Sequence, residues 1–149
     1  MSLVDSRSRE RDRGSAVIEF IVIGVLVLIP LSYISMCLMR VQAASVASSL
    51  AVREAGRAFV SADTIPEARA RASAAAKLAL ADQGFPLPAR SLRVSCSSTQ
   101  CLAPESTVHV ELDWAVDLPW MPAFLGKERT SIAITAQRTM PVDAYRGEQ

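Results

Sequence analysis

Residues 15–39 read Ser15-Ala16-Val17-Ile18-Glu19-Phe20-Ile21-Val22-Ile23-Gly24-Val25-Leu26-Val27-Leu28-Ile29-Pro30-Leu31-Ser32-Tyr33-Ile34-Ser35-Met36-Cys37-Leu38-Met39, and the run ends sharply at Arg40. As a helix it extends about 37 Å, enough to cross a hydrocarbon core of roughly 30 Å with some tilt. Pro30 is tolerated in such a helix, where neighbouring groups can satisfy the freed carbonyl. Glu19 is the informative residue. A carboxylate at membrane depth is costly unless it is paired, protonated or near the interface. Its place near the start of the run lowers that cost. Two readings stay open: an interfacial carboxylate that reaches water, or one with a partner charge in the membrane. The run contains no basic residue. A partner must therefore come from another chain or from a newly made N-terminus.

Upstream, residues 1–14 are polar, with Arg7, Arg9, Arg11 and Arg13 alternating with Ser8, Glu10 and Asp12. Arginines flanking a span favour the cytoplasmic side, and acidic neighbours count for little in that rule. The expected orientation is a cytoplasmic N-terminus, with the chain after Arg40 outside a bacterial cytoplasmic membrane. A competing cut must be weighed: Val41-Gln42-Ala43 before Ala44 has the small-residue pattern of a signal-peptidase site. Cleavage there would release a soluble protein. The apolar run is far longer than an ordinary signal core and holds Glu19 and Pro30, which argues against it.

The junction Arg13-Gly14-Ser15-Ala16-Val17-Ile18-Glu19-Phe20 resembles the prepilin processing site of the type IV pilin superfamily. Within that superfamily it most resembles the TadE-like pseudopilins of tight-adherence (Flp) pilus systems. The resemblance implies cleavage after Gly14 by a prepilin peptidase, with Ser15 as the new first residue. Glu19 is then the fifth residue, and Phe20 is a common follower of that glutamate. It implies a single-pass membrane protein that partners other pilin or pseudopilin subunits and the pilus assembly machinery, and that can enter a surface pilus. The motif-bearing part covers Met1 to Arg40. The remainder is compatible with the family rather than diagnostic of it. The layout expected is a leader over 1–14, a span over 15–39, an outward continuation over 40–62 and a small extracytoplasmic domain over 63–149.

The rest of the chain reads as an ordinary globular sequence. The 149 residues carry a formal net charge of +1, so no strong field exists and bulk nucleic-acid binding is not expected. Basic residues are overwhelmingly arginine and alanine is abundant, the habit of a GC-rich bacterial genome. After Arg40 a helical period continues: Val41, Ala44, Ser48, Val52, Ala55, Phe59 and Ala62 share one face. Gln42, Ser45, Ser49, Arg53 and Arg57 share the opposite one. The apolar stripe can lie on the chain's own domain or face neighbouring subunits. Thr64-Ile65-Pro66-Glu67 reads as a helix start, with Thr64 as N-cap and Glu67 as its reciprocal capping-box partner. The helix is expected over Ile65 to Gln83, stopped by Gly84.

Beyond Pro88 the period changes to two. Leu92, Val94 and Cys96 alternate with Arg93 and Ser95. Val108, Val110, Leu112, Trp114 and Val116 alternate with His109, Glu111, Asp113, Ala115 and Asp117, the clearest strand pattern in the chain. Ile132, Ile134 and Ala136 make a third strand that ends by Pro141. The expected fold class is α+β: a long N-terminal transmembrane helix, a second helix, and a small antiparallel sheet of about three strands. So small a domain calls for a staple or a partner.

The three cysteines are Cys37, Cys96 and Cys101. Outside the cytoplasm, Cys96 and Cys101 read as a local disulfide across Ser-Ser-Thr-Gln. With His109 they would make only three zinc ligands and no second pair, a poor zinc signature. Glu111, Asp113 and Asp117 share a strand face, which reads as solvated. The stretch from Leu118 to Gly126, with Trp120 and Phe124, is either a lid over the core or a contact patch for a partner or a membrane surface. No phosphate-binding loop, metal cluster or nucleophile motif is present, so no enzyme activity and no cofactor are expected. A type II secretion pseudopilin and a single-pass anchored binding domain without a pilus role remain the competing functions.

Overall fold

The computed structural model describes residues 5–118 and 131–144, with side chains from residue 16 onward. The chain divides into two compact units, Met1–Leu38 and Met39–Gln149. Helix α1 spans Asp5–Val60 and α2 spans Ile65–Ala81. Three strands follow: β1, Leu92–Cys96; β2, Thr107–Asp117; and β3, Ser131–Pro141. This is the α+β order expected.

The first unit is helical. Every side chain from Ala16 to Ser32 is exposed, including Val17, Ile18, Phe20, Leu26 and Ile29. A helix that is apolar on all sides and buries none of them has no aqueous solvent suited to it, and lipid is the medium that fits. α1 is thus long and apolar enough to cross a membrane. Pro30 lies inside it without interrupting the helix. Ser35 donates its hydroxyl to the Leu31 carbonyl at 2.9 Å, so its polar atom is satisfied within the helix.

In the second unit, the outer part of α1 supplies one wall of the core. Ala44, Ala47, Ser48, Ala51, Val52, Ala55 and Phe59 are buried at helical spacing, and Ala62 follows just past the helix end. The sequence stripe therefore lies on the chain's own domain. Gln42, Ser45, Ser49, Arg53 and Arg57 are exposed on the other side. The stretch 40–62 belongs to this compact unit together with the strands.

α2 buries Ala68, Ala72, Ala76 and Leu80, one residue per turn. Small side chains keep it close to its neighbours at little entropic cost. Its start differs from the expected reciprocal cap. Thr64 is extended at the N-cap but makes no side-chain capping bond. The Glu67 carboxylate instead accepts the Asp63 N–H at 3.4 Å and pairs with Arg71 at 2.6 Å. Pro66 in the first turn removes one of the backbone donors that a capping hydroxyl would use. The far end is capped as expected, although the helix closes at Ala81 rather than Gln83. Gly84 adopts φ +75°, the Phe85 N–H reaches the Leu80 carbonyl at 3.0 Å, and the Gly84 N–H reaches Ala81 at 2.9 Å. That pattern is a Schellman motif, with buried Phe85 and Leu80 as its apolar pair.

The sheet has the order β1-β2-β3 and is antiparallel throughout. Register runs without a bulge, from Leu92↔Leu112 to Cys96↔Val108 and from Thr107↔Pro141 to Asp117↔Ser131. Val108, Val110, Leu112 and Val116 are buried on the inner face. β3 ends at Pro141, as expected. Gln137, Arg138 and Thr139 break the apolar alternation, yet their backbones continue to pair with Glu111, Val110 and His109. α1 lies on the inner face of this sheet. A Cβ added at Gly56 would stand 2.9 Å from Met140 Cγ and 3.7 Å from Val110 Cγ2, so helix and sheet approach closely there.

Candidate functional site

Gly14, Ser15, Glu19 and Phe20 all lie within α1. Helical geometry puts Glu19 one turn beyond Ser15 on the same face, a rise of about 6 Å. Glu19 is exposed among Val17, Ile18, Phe20, Val22 and Ile23, themselves exposed. Its carboxylate has no ion-pair partner among the described residues. A carboxylate set in an apolar collar is an unmet charge wherever lipid surrounds it. A cation presented from outside the chain at that level would meet that need. Cys37, further along α1, is a free and half-buried thiol.

Cys96 and Cys101 are joined in a disulfide, with Cα atoms 5.2 Å apart. Both sulfurs are consumed, which removes the zinc alternative. No group of three His, Cys, Asp or Glu residues suited to a metal occurs among the described residues. The bridge braces the connection between β1 and β2. Ser106 Oγ donates to the Cys101 carbonyl at 3.0 Å, and the Val142 N–H reaches the Ser106 carbonyl at 2.8 Å. His109 lies on the outer face, with Nδ1 3.1 Å from Thr139 Oγ1. The acidic strand face is largely answered by the neighbouring strand. Arg93 sits opposite Glu111 in register, contacts it at 3.4 Å and also pairs with Asp113. Exposed pairs of this kind add little stability, but they leave no acidic cluster free to hold a cation.

Sequence reasoning missed the polar and aromatic joint at the root of the domain. Trp114 donates its indole N–H to Ser48 Oγ at 2.8 Å, and Ser48 donates its own hydroxyl to the Ala44 carbonyl at 2.7 Å. The Phe85 ring meets Trp114 edge to face at 5.3 Å. The Arg40 guanidinium stands 4.5 Å over the Phe85 ring. Arg40, which ends the apolar run in sequence, is therefore part of the domain's packing. Ser48 was legible as a member of the buried stripe, and Trp114 as inward-facing on β2. Nothing in the one-dimensional pattern paired them.

The expected apolar segment Leu118 to Gly126 lies outside the described residues from position 119 onward. Comparison with protein-family models, with curated proteins and with solved structures finds no match.

Proposed function

We propose that this chain is a membrane-anchored minor pilin or pseudopilin that acts in the assembly of a tight-adherence (Flp, type IVb-like) pilus. The observation that carries the reading is the placement of Glu19: without an ion-pair partner among the described residues, collared by apolar side chains on a lipid-suited helix, and fifth in the chain counted from the residue after Gly14. Cleavage after Gly14 by a prepilin peptidase would leave an α-amine on Ser15, with a reference pKa of about 8. That amine is a cation at neutral pH. In a stack of such helices, the amine of one subunit supplies the charge that Glu19 of the next lacks. Low dielectric strengthens the attraction, and misalignment leaves a buried charge unpaired. The pair acts as a registry device for assembly. Orientation follows from the leader arginines: cytoplasmic N-terminus, domain outside, disulfide in an oxidising compartment.

The core of the second unit supports an anchored rather than a secreted product. A cut before Ala44 would detach Arg40 from Phe85 and remove the half-buried Val41 and Ala43 from the domain. The deciding experiment is the intact mass of the protein purified from its native host. The expected chain starts at Ser15, and Glu19→Gln is expected to abolish pilus assembly while leaving the protein in the membrane. A start at Met1 or Ala44 would sink processing after Gly14. Co-purification with secretion rather than pilus components would assign the chain to a type II-like system instead. An intact leader together with tolerance of Glu19→Gln would favour an anchored binding domain with no pilus role.

A further inference from the structure

We propose that the free edge of β3 is a docking site for an extended, acidic segment of a partner protein, which adds to the sheet as a fourth strand. Among the described residues nothing pairs with the outer edge of β3, because the sheet order is β1-β2-β3. Ser131–Pro141 is a long strand, and its ladder with β2 is unbroken by any bulge. Along such an edge alternate residues aim their N–H and C=O groups outward, unpaired in the sheet. Proteins usually blunt a long edge with lysines, bulges or prolines. β3 has no lysine, and its proline stands at the very end.

The edge opens onto a groove of about 450 Å³ between β3 and the outer side of α1. Its walls include Val46, Leu50, Arg53, Ala136 and Arg138. Val46 is 56% exposed and Leu50 41%, so the groove offers apolar surface that the fold itself leaves uncovered. Among the described residues Arg53 and Arg138 make no ion pair and no carboxylate lines the groove. Arg138 occupies an inner-face position, opposite Val110 in register, yet is exposed. An incoming strand would place alternate side chains on that same face, toward α1. One apolar side chain covers Val46 and Leu50. A carboxylate two positions away meets Arg53 and Arg138.

Charge chooses the occupant. A second copy pairing its own β3 about Ala136 would bring Arg53 and Arg138 of both chains onto one face with no acid among them. An inward-facing charge on an edge strand is a known guard against such self-pairing. An acidic strand turns the guard into a selector: backbone hydrogen bonds supply affinity and the groove supplies specificity. This inference holds whether or not the chain is cut after Gly14.

The test uses the full chain in detergent micelles and the capped peptide acetyl-Thr-Val-Thr-Glu-Thr-Val-Thr-amide as probe, titrated by isothermal calorimetry. Binding is expected, and protection of β3 amides from hydrogen exchange is expected to rise with it. Replacing the peptide's glutamate by lysine should weaken binding by at least about fivefold, as should Arg138→Glu, with Arg53→Glu adding a similar factor. The Arg138→Glu protein should in turn prefer the lysine peptide, a rescue that a misfolded variant could not show. A peptide N-methylated at alternate amides should not bind. Equal binding of the glutamate and lysine peptides would overturn the proposal. So would β3 edge amides already protected in the free chain, or a β3-paired dimer by sedimentation.

Discussion

The Trp114–Ser48 hydrogen bond is the point at which the reasoning about the domain can be tested most sharply. It joins the middle of β2 to the outer part of α1 at 2.8 Å, and Ser48 is fully buried. Ser48→Ala removes the acceptor and leaves the indole N–H of half-buried Trp114 without its partner. A stranded donor costs about 1–3 kcal/mol. Alanine recovers roughly 0.5 kcal/mol through its better helix propensity and through loss of the competing bond to the Ala44 carbonyl. The net expectation is about 1 kcal/mol of destabilisation. Trp114→Phe removes the donor and trims the ring that meets Phe85, at a cost of about 1–2 kcal/mol. If the two side chains act through their hydrogen bond, the double variant is less destabilised than the sum by about 1 kcal/mol. For a domain of this size 1 kcal/mol moves the midpoint by roughly 4–8 °C. The assay is thermal unfolding of the full chain in detergent, read by proteolysis of the domain rather than by total helicity, because the long apolar helix contributes helicity that does not report on the domain. Additive effects, with a coupling under about 0.3 kcal/mol, would refute the idea that this bond fixes α1 against the sheet.

Three further outcomes follow from the same geometry. Gly84→Ala should cost about 1 kcal/mol through backbone conformation alone, since an added Cβ meets nothing within 4 Å, and Gly84→Asn should recover part of it in the same unfolding assay. Replacing Cys96 and Cys101 together by alanine should lower stability by about 2 kcal/mol, the chain-entropy value for so short a loop, and a reductant should reproduce the shift in the parent protein but not in the variant. Thr64→Ala should change stability by less than about 0.5 kcal/mol, because its side chain makes no capping bond, whereas an ordinary cap would lose about 1 kcal/mol.

Much of the fold was legible from periodicity. The stripe from Ala44 to Ala62 and the alternation from Val108 to Val116 mark faces, and a face must be covered by something. The end of β3 at Pro141 was legible from the proline, but the pairing just before it was not carried by side-chain pattern: backbone bonds with β2 continue through Gln137, Arg138 and Thr139 whatever their side chains prefer. The cap at Thr64 was misjudged for a related reason. A capping box is a choice among local acceptors, and Glu67 is claimed by the Asp63 N–H and Arg71. At the candidate assembly site the balance differs. The distance of Glu19 from Gly14, the apolar collar and the arginines before Gly14 are all properties of a single stretch of chain, so they are present in the one-dimensional order.

By itself, then, the sequence determined the features that local physics sets: an apolar run of membrane length, a carboxylate one turn past a candidate cleavage point, a glycine that stops α2, and a cysteine pair close enough to bridge. Those depend on residues a few positions apart. Only the tertiary structure decided what joins residues far apart in the chain: Arg40 stacked on Phe85, Ser48 accepting from Trp114, Arg93 answering Glu111 and Asp113, and Arg53 and Arg138 lining one groove. The strand pairs follow from register, and the others from how α1 packs on the rest of the domain. Both are settled by burial summed over the whole core, which no single stretch of sequence carries.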